Sequence, residues 1–265
     1  MTIALIDGDI LTWKSCFSAE YSVYELPVEE GRFRYRKEVD AFIDWNYDEE
    51  EGEYIRGTVI AHKIVEPFSK ATAAADQIIN SVLTHTGATS FEIYISGADN
   101  FRLKVDYPVV YKGNRIQDKP HYYQQMREWL VKKYGAKLAD GMESDDMLSI
   151  RQHELQNDSI ICSIDKDMKQ VPGFHFNLDS KEIVKISKLE GFRNFAIQML
   201  TGDRVDNIIG IDGLGPKKAA KLLEGLNTQE EMYEVVKQQY AKAFGEEANK
   251  MLASNLQLLM LKAVR

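Results

Sequence analysis

Three short apolar runs in this chain end in the same way. Residues 3–6 ("IALI") lead into "DGD", residues 91–96 ("FEIYIS") into "GAD", and residues 159–164 ("SIICSI") into "DKD". Such near-continuous apolar runs fit strands buried on both faces. A fourth candidate strand is "FHFNLD", residues 174–179. Helical patterns lie between them, at 67–85, 120–134 and 144–156. Strands alternating with helices predict a mostly parallel α/β sheet with helices on both faces. In such sheets ligands meet the protein beyond the carboxyl ends of the strands. Asp7, Asp9, Asp99, Asp165 and Asp167 all fall at or just past those ends. Within "SIDKDMKQ", an extended chain would point Asp165 and Asp167 to the same side. Two like charges would then stand together at the end of a core strand.

The rest of the chain bounds the possibilities. Its 265 residues suffice for one large domain, or one with a smaller appendage. No run of apolar residues is long enough to predict a membrane span. The opening "MTIALIDGDIL" reads as a strand rather than a signal peptide. Cys16 and Cys162, the only two cysteines, fit core positions in a reducing compartment. The formal net charge of −8 argues against a nucleic-acid partner, unless cations neutralise the acids locally.

Two further clusters extend the acidic set. "GMESDDMLS" carries Glu143, Asp145 and Asp146 near an expected helix start, and "TGDRVDN" carries Asp203 and Asp206. One acid at a helix N-terminus needs no explanation beyond the helix dipole. Besides Asp9, nine acids stand out: Asp7, Asp99, Glu143, Asp145, Asp146, Asp165, Asp167, Asp203 and Asp206. Two such charges 4 Å apart repel by about 4 kcal/mol at an effective dielectric of 20. A cluster must protonate, disperse or bind cations. All-oxygen ligands point to Mg²⁺ or Mn²⁺, and the five histidines show no zinc spacing. Paired divalent ions suit in-line phosphodiester hydrolysis.

A phosphate substrate also needs cations. Residues 111–137 hold seven Lys/Arg against two Asp/Glu. Within them Lys112 and Arg115 are candidates to hold a scissile phosphate, and Tyr111 to stack on a base. In "GIDGLGPKKAAKLL", Gly213 and Gly215 permit a tight turn and Pro216 opens a helix. Lys217, Lys218 and Lys221 follow, giving a candidate phosphate contact that reads no bases. By contrast, residues 20–53 hold twelve Asp/Glu against four Lys/Arg. They read as part of a solvated β-like insertion over about 20–65, with a hairpin near 32–65 and its tip at "YDEEEGE". From about 190 the chain reads as mostly helical.

In this order the motifs resemble the flap endonuclease and 5′→3′ exonuclease superfamily, most closely the 5′ exonucleases of tailed bacteriophages. The resemblance rests on "LIDGD", "SGADNFR", "YKGNR", "GMESDD", "SIDKDMKQVPG" and "TGDRVDNIIGIDGLGPKKAAKLL". It implies one metal ion held mainly by Asp7, Asp99, Glu143, Asp145 and Asp146. It implies a second involving Asp165, Asp167, Asp203 and Asp206, partly through water. Lys112 and Arg115 match a phosphate-contacting pair, Tyr111 its aromatic neighbour, and Arg102 an arginine of less defined role. Residues 207–222 resemble a helix–three-turn–helix that tracks duplex DNA and can carry K⁺ on backbone carbonyls. The implied division is a nuclease domain over 1–190 and a helical DNA-binding region over 191–265. The implied activity is Mg²⁺- or Mn²⁺-dependent attack on duplex 5′ ends, nicks, gaps or flaps, and on RNA–DNA hybrids. Phage replication or recombination in the bacterial cytoplasm would be the setting. The segment between Asp99 and Glu143 is only 43 residues, with a basic arch at about 108–140. So short an arch suits attack at ends better than threading of a flap. A non-catalytic DNA-binding accessory protein on the same fold is the alternative.

Overall fold

The computed structural model describes residues 2–26, 31–33, 37, 47–48, 53–54, 60–115 and 118–263. In chain order the first strands are β1 (Ile3–Asp7), β2 (Glu20–Leu26), β3 (Gly31–Phe33), β4 (Tyr47–Asp48), β5 (Glu53–Tyr54) and β6 (Ile60–Val65). They are followed by β7 (Ser90–Ile95), β8 (Lys137–Leu138), β9 (Ser159–Ser163), β10 (Gly173–Asn177), β11 (Ile183–Ile186), β12 (Gly202–Asp203) and β13 (Ile208–Ile209). The helices are α1 (Gly8–Phe17), α2 (Phe68–Thr86), α3 (Tyr123–Tyr134), α4 (Ser144–Leu155), α5 (Lys188–Thr201), α6 (Pro216–Leu222), α7 (Gln229–Phe244) and α8 (Ala248–Leu259). The chain forms two compact units. One comprises Met1–Leu11, Ile78–Asp118 and Arg127–Arg265, and the other Thr12–Gln77 and Lys119–Met126.

The first unit contains a six-stranded sheet in the order β11-β10-β9-β1-β7-β8. Pairing is parallel except between β10 and β11. This is the mostly parallel α/β sheet that the strand–helix alternation predicts. The central strands are buried as their composition requires: Ala4, Leu5 and Ile6 are 0% exposed. β1 lies between β7 and β9, so connections leave it in both directions. That is the switch point where a crevice opens beyond the strand ends. Gly8 follows β1 because nothing larger fits: a Cβ there would lie 2.5 Å from the Tyr94 carbonyl oxygen. The turn in "DGD" is therefore fixed by the backbone of β7.

The C-terminal helices have their own core, including Phe195, Leu200, Met232, Val236, Tyr240, Leu252 and Leu258. Burying each such side chain contributes about 1.5–3 kcal/mol. Ser187 and Thr228 cap α5 and α7, each with a glutamate three residues into the helix completing a capping box. Gly202 and Gly210 meet across the β12–β13 hairpin, where a Cβ on Gly202 would lie 2.3 Å from the Gly210 nitrogen.

In the second unit β2 pairs antiparallel with both β3 and β6, and β4 with β5. β2, starting at Glu20, is the central strand of this β-rich segment, which is therefore wider than a single hairpin over 32–65. Register decides this: Glu20 faces Val65 and Glu25 faces Ile60, which places Lys63 against Glu20 at 2.7 Å. The "YDEEEGE" tip is flanked by β4 and β5, while residues 49–52 lie outside the described residues, as do most of those in "FRYRKEV". Of the arch segment at 108–140, the structure shows turns at 111–114, helix α3 and strand β8, and residues 116–117 lie outside the described residues. Cys16 and Cys162 are free and buried, as expected. Among the described residues no helix is long and apolar enough to cross a membrane.

Candidate active site

Among the described residues, several acids at the strand ends have no cationic partner. Asp7 closes β1 and is 2% exposed. Its Oδ1 accepts the amides of Asp9 and Ile10 at 3.1 and 3.0 Å, two of the free donors at the start of α1. Its Oδ2 accepts the Ser163 hydroxyl at 2.7 Å. Burial, and then the charge of Asp9, push Asp7 up to about 7. Ser163 Oγ in turn accepts the Asp165 amide at 3.0 Å.

β9 ends at Ser163, so the extended geometry expected for "SIDKD" does not persist. Asp165 instead caps a 3₁₀ turn over Lys166–Gln170 and accepts the Asp167 amide at 2.8 Å. The turn ties the two acids together without removing their repulsion. Burial, then Asp165 and Asp203, push Asp167 up to about 7. Its Oδ1 is buried with no hydrogen-bond partner among the described residues. Asp145 stands at the start of α4 and is raised well above its ordinary value by burial, then by Asp7 and Asp165. Among the described residues, Asp7, Asp145, Asp165 and Asp167 have no cationic side chain within ion-pairing distance.

The other five acids are paired. Tyr111 donates to Glu143 at 3.1 Å and to Asp206 at 3.1 Å. Lys112 Nζ sits on Glu143 and lies 3.7 Å from Asp206, while Arg115 pairs with Asp206. Lys112 has a left-handed backbone, φ 57°, and donates its amide to the Asp206 carbonyl at 2.9 Å. The candidate phosphate pair is thus present but engaged by the protein's own carboxylates. Tyr111 is 7% exposed, so its ring offers no stacking surface. Burial, then Glu143 and Asp206, hold its phenol far above the ordinary range, so it remains a donor.

Asp146 is 0% exposed, and its two oxygens take two guanidinium nitrogens of Arg102 at 2.5 and 3.0 Å. Arg102 is itself 2% exposed. This pair is internal, and the geometry gives it to holding α4 rather than to meeting substrate. Asp203 pairs with Lys166 at 2.9 Å and accepts two amides. Burial opposes its charge, but those partners outweigh burial and hold it below the usual carboxylate range. Asp99 stands 58% exposed on Lys104 at 3.1 Å.

Four partners were not singled out by the sequence. Asp9 pairs with Arg127 at 2.9 Å and accepts the Ser96 amide at 3.1 Å and the Ser144 hydroxyl at 2.9 Å. This network fastens the end of β7 to the start of α4. Ser96, Ser144 and Ser163 each sit beside a recognised motif, and small hydroxyl residues at strand ends were the available signal. Arg127 was one cation among seven in a basic run.

Beyond β13, Gly213 adopts φ 69° and Gly215 precedes α6 with Pro216 at its first position. Lys217, Lys218 and Lys221 are exposed. Lys218 Nζ donates to the Gly213 carbonyl at 2.8 Å, so it braces the loop. A cleft of about 1020 Å³ runs along residues 201–205 and 207–216, reaching Asn114 and Lys166.

The donor set fits hard divalent cations. Four acids that form no ion pair among the described residues, one with a buried oxygen lacking a partner there, must hold protons or bind cations. Among the described residues no three acids stand at metal-ligand spacing, so any ion would share them through water or draw them closer.

This sheet, with acids along one edge and a helical C-terminal region, is the fold of the flap endonucleases and 5′-exonucleases. In particular, it is similar to a bacteriophage T5 flap endonuclease solved with DNA and metal ions, with TM-score 0.54 and 13% identity over 98% of this chain and 99% of that one. A T5 5′-exonuclease structure with zinc aligns at TM-score 0.53 and 14% identity, covering 98% and 100%. Curated relatives agree with the expected likeness. A DNA polymerase I from Rhizobium leguminosarum is 38% identical over 97 residues, 32% of this chain and 10% of the relative. A flap endonuclease Xni from Shewanella sp. (strain W3-18-1) is 29% identical over 136 residues, 46% of this chain and 52% of the relative. The chain thus spans about half, or less, of the curated relatives it matches. No family model matches.

Proposed function

We propose that this protein is a divalent-metal-dependent 5′→3′ DNA exonuclease acting on duplex 5′ ends, nicks, gaps or flaps. The observation that carries the reading is the group of four acids that form no ion pair among the described residues, on a fold shared with flap endonucleases. In this reading Asp7, Asp145, Asp165 and Asp167 hold Mg²⁺ or Mn²⁺, with Glu143, Asp203 and Asp206 contributing through water. Bound ions supply an activated water and charge stabilisation at the attacking and leaving oxygens. Asp146 and Arg102 fix α4, and Asp99 joins only by leaving Lys104. Lys112 and Arg115 exchange their carboxylate partners for the scissile phosphate. Tyr111 orients Glu143 and Asp206 rather than a base. The lysines around α6, with or without K⁺ in the preceding loop, contact the duplex backbone.

The remaining parts of the reading rest on the resemblance. These are the division at 1–190 and 191–265, activity on RNA–DNA hybrids, phage replication or recombination as the setting, and a bacterial cytoplasmic location. The test is a 5′-labelled duplex with and without Mg²⁺. Release of short labelled products that EDTA abolishes is the expected result, and an intact duplex in both conditions refutes the proposal. The exposed Asp99 and the engaged Lys112–Arg115 pair favour a second reading, a DNA-binding accessory protein without turnover. Retention of DNA without cleavage in Mg²⁺ and in Mn²⁺ would support it.

A further inference from the structure

The end of the helical region returns to the acids. From the last residues of α8 into the segment beyond it, the backbone is held by side chains from three segments: the 3₁₀ turn at Phe101–Lys104, the start of α4 and the Asp165–Gln170 turn. Arg102 donates to the carbonyls of Leu258 at 2.7 Å and Met260 at 3.1 Å. The Lys262 amide donates to Asp146 Oδ1 at 3.0 Å. Lys262 Nζ lies 4.3 Å from the centre of the Phe101 ring, beside Arg102. Between these contacts, Gln170 Nε2 donates to the Leu259 carbonyl at 3.1 Å, and Gln170 Oε1 accepts the Leu261 amide at 3.0 Å.

Gln170 therefore pairs with the strap as another strand would, using its side-chain amide in place of a peptide. It is also the last residue of the 3₁₀ turn that Asp165 caps. One five-residue strap, 258–262, thus bonds to the Asp165–Gln170 turn through Gln170 and to the start of α4 through Asp146 and Arg102. Asp165 and Asp167 lie on the first of these turns, Asp145 on the second. Like charges on these acids would push the two turns apart, and the strap ties the turns together.

We infer that Gln170 is a positioning residue, which with the 258–262 strap sets the separation between Asp145 and the Asp165–Asp167 turn. The inference rests on the metal reading above. A two-ion site depends on that spacing, whereas DNA contacts on Lys112, Arg115 and the α6 lysines do not pass through it. Loss of the Gln170 hydrogen bonds should loosen ion binding without weakening the hold on DNA.

The test compares Gln170→Met, which keeps length and removes both hydrogen bonds to the strap along with one to Gln198 at 3.5 Å, with Gln170→Asn, which keeps the amide on a shorter stem. Ser254→Ala removes a hydrogen bond from α8 to the Asp106 carbonyl and serves as the stability control. Mn²⁺ binding is measured by calorimetry without DNA, alongside kcat, KM for duplex and Tm. In Gln170→Met we expect the half-saturating Mn²⁺ to rise and kcat to fall, each by about 10-fold, with KM within about two-fold. Gln170→Asn should recover part of both losses. Wild-type Mn²⁺ binding and kcat in Gln170→Met, or equal losses in Ser254→Ala at the same Tm cost, would overturn the inference alone. A wild-type protein that binds no Mn²⁺ would instead defeat the metal reading, and the inference with it.

Discussion

Two groups of carboxylates lie in this site, and they differ in how the fold treats their charge. Glu143, Asp146, Asp203 and Asp206 each meet a lysine or arginine, and Tyr111 bridges two of them. Among the described residues, Asp7, Asp145, Asp165 and Asp167 form no ion pair, and their hydrogen-bond donors are hydroxyls and amides. The first group is self-sufficient and builds structure. The second is left in electrostatic debt. Acidic residues that read alike in sequence thus separate into anchors and candidate ligands once their neighbours are known.

The largest test of that contrast is Asp145→Asn. It should reduce metal-dependent cleavage by more than about 10³-fold, roughly 4 kcal/mol of barrier, yet raise the Tm of the metal-free protein. Asp206→Asn should lower that Tm instead, and the contrast breaks if melting curves of the two variants move together. Next comes Arg102→Ala, which strands Asp146 as a buried unpaired charge and should cost about 3–5 kcal/mol in denaturant unfolding. A cost below about 1 kcal/mol would show that the anchor group carries little.

Saturating Mg²⁺, at about 100 times its Kd, should stabilise the wild type by about 2.7 kcal/mol, seen as a higher Tm. Asp145→Asn should lose most of that rise, and Arg102→Lys should keep it. The pH dependence is smaller. Asp7 and Asp167 hold their protons to about 7 in the fold, against 3.8 ordinarily. The folded state therefore binds more protons between those values. The stability they contribute is complete below pH 3.8 and lost as pH rises through about 7. Asp99, held low by Lys104, and Asp203, held low by Lys166 against burial, are already ionised above pH 5 and add no slope there. Metal-free protein should melt at a lower temperature at pH 8 than at pH 5, and Mg²⁺ should flatten the difference. The smallest effect is expected from Tyr111→Phe, about 1 kcal/mol of unfolding free energy, with DNA affinity retained. A large loss of DNA affinity would return the ring to a substrate role.

Much of this arrangement was legible in the sequence. The apolar runs ending in aspartate located β1, β7 and β9 and hence the sheet edge, because continuous apolarity and strand burial are one constraint. Glycine spacing and Pro216 located the α6 loop. Partnership was not legible. Whether Lys112 faces a phosphate or Glu143 depends on a turn with left-handed backbone at Lys112, and Arg102 finds Asp146 across 44 residues. The geometry at Asp165 was misjudged because an aspartate can cap the next turn as readily as continue a strand. That β2 joins the hairpin as its central strand was not legible, because β2 looks like an ordinary alternating segment until its register with β6 is known.

The unpaired acids have a consequence for encounter as well as for chemistry. A chain of formal charge −8 repels a polyanion on approach. Two divalent ions would halve that charge, and would do so at the edge where a 5′ end would arrive. Exposed charges farther off than about 8 Å are screened at physiological ionic strength, so this local change outweighs the remaining surface acids. Metal concentration would then govern how often DNA and protein meet productively, and association rates would climb with metal before turnover saturates.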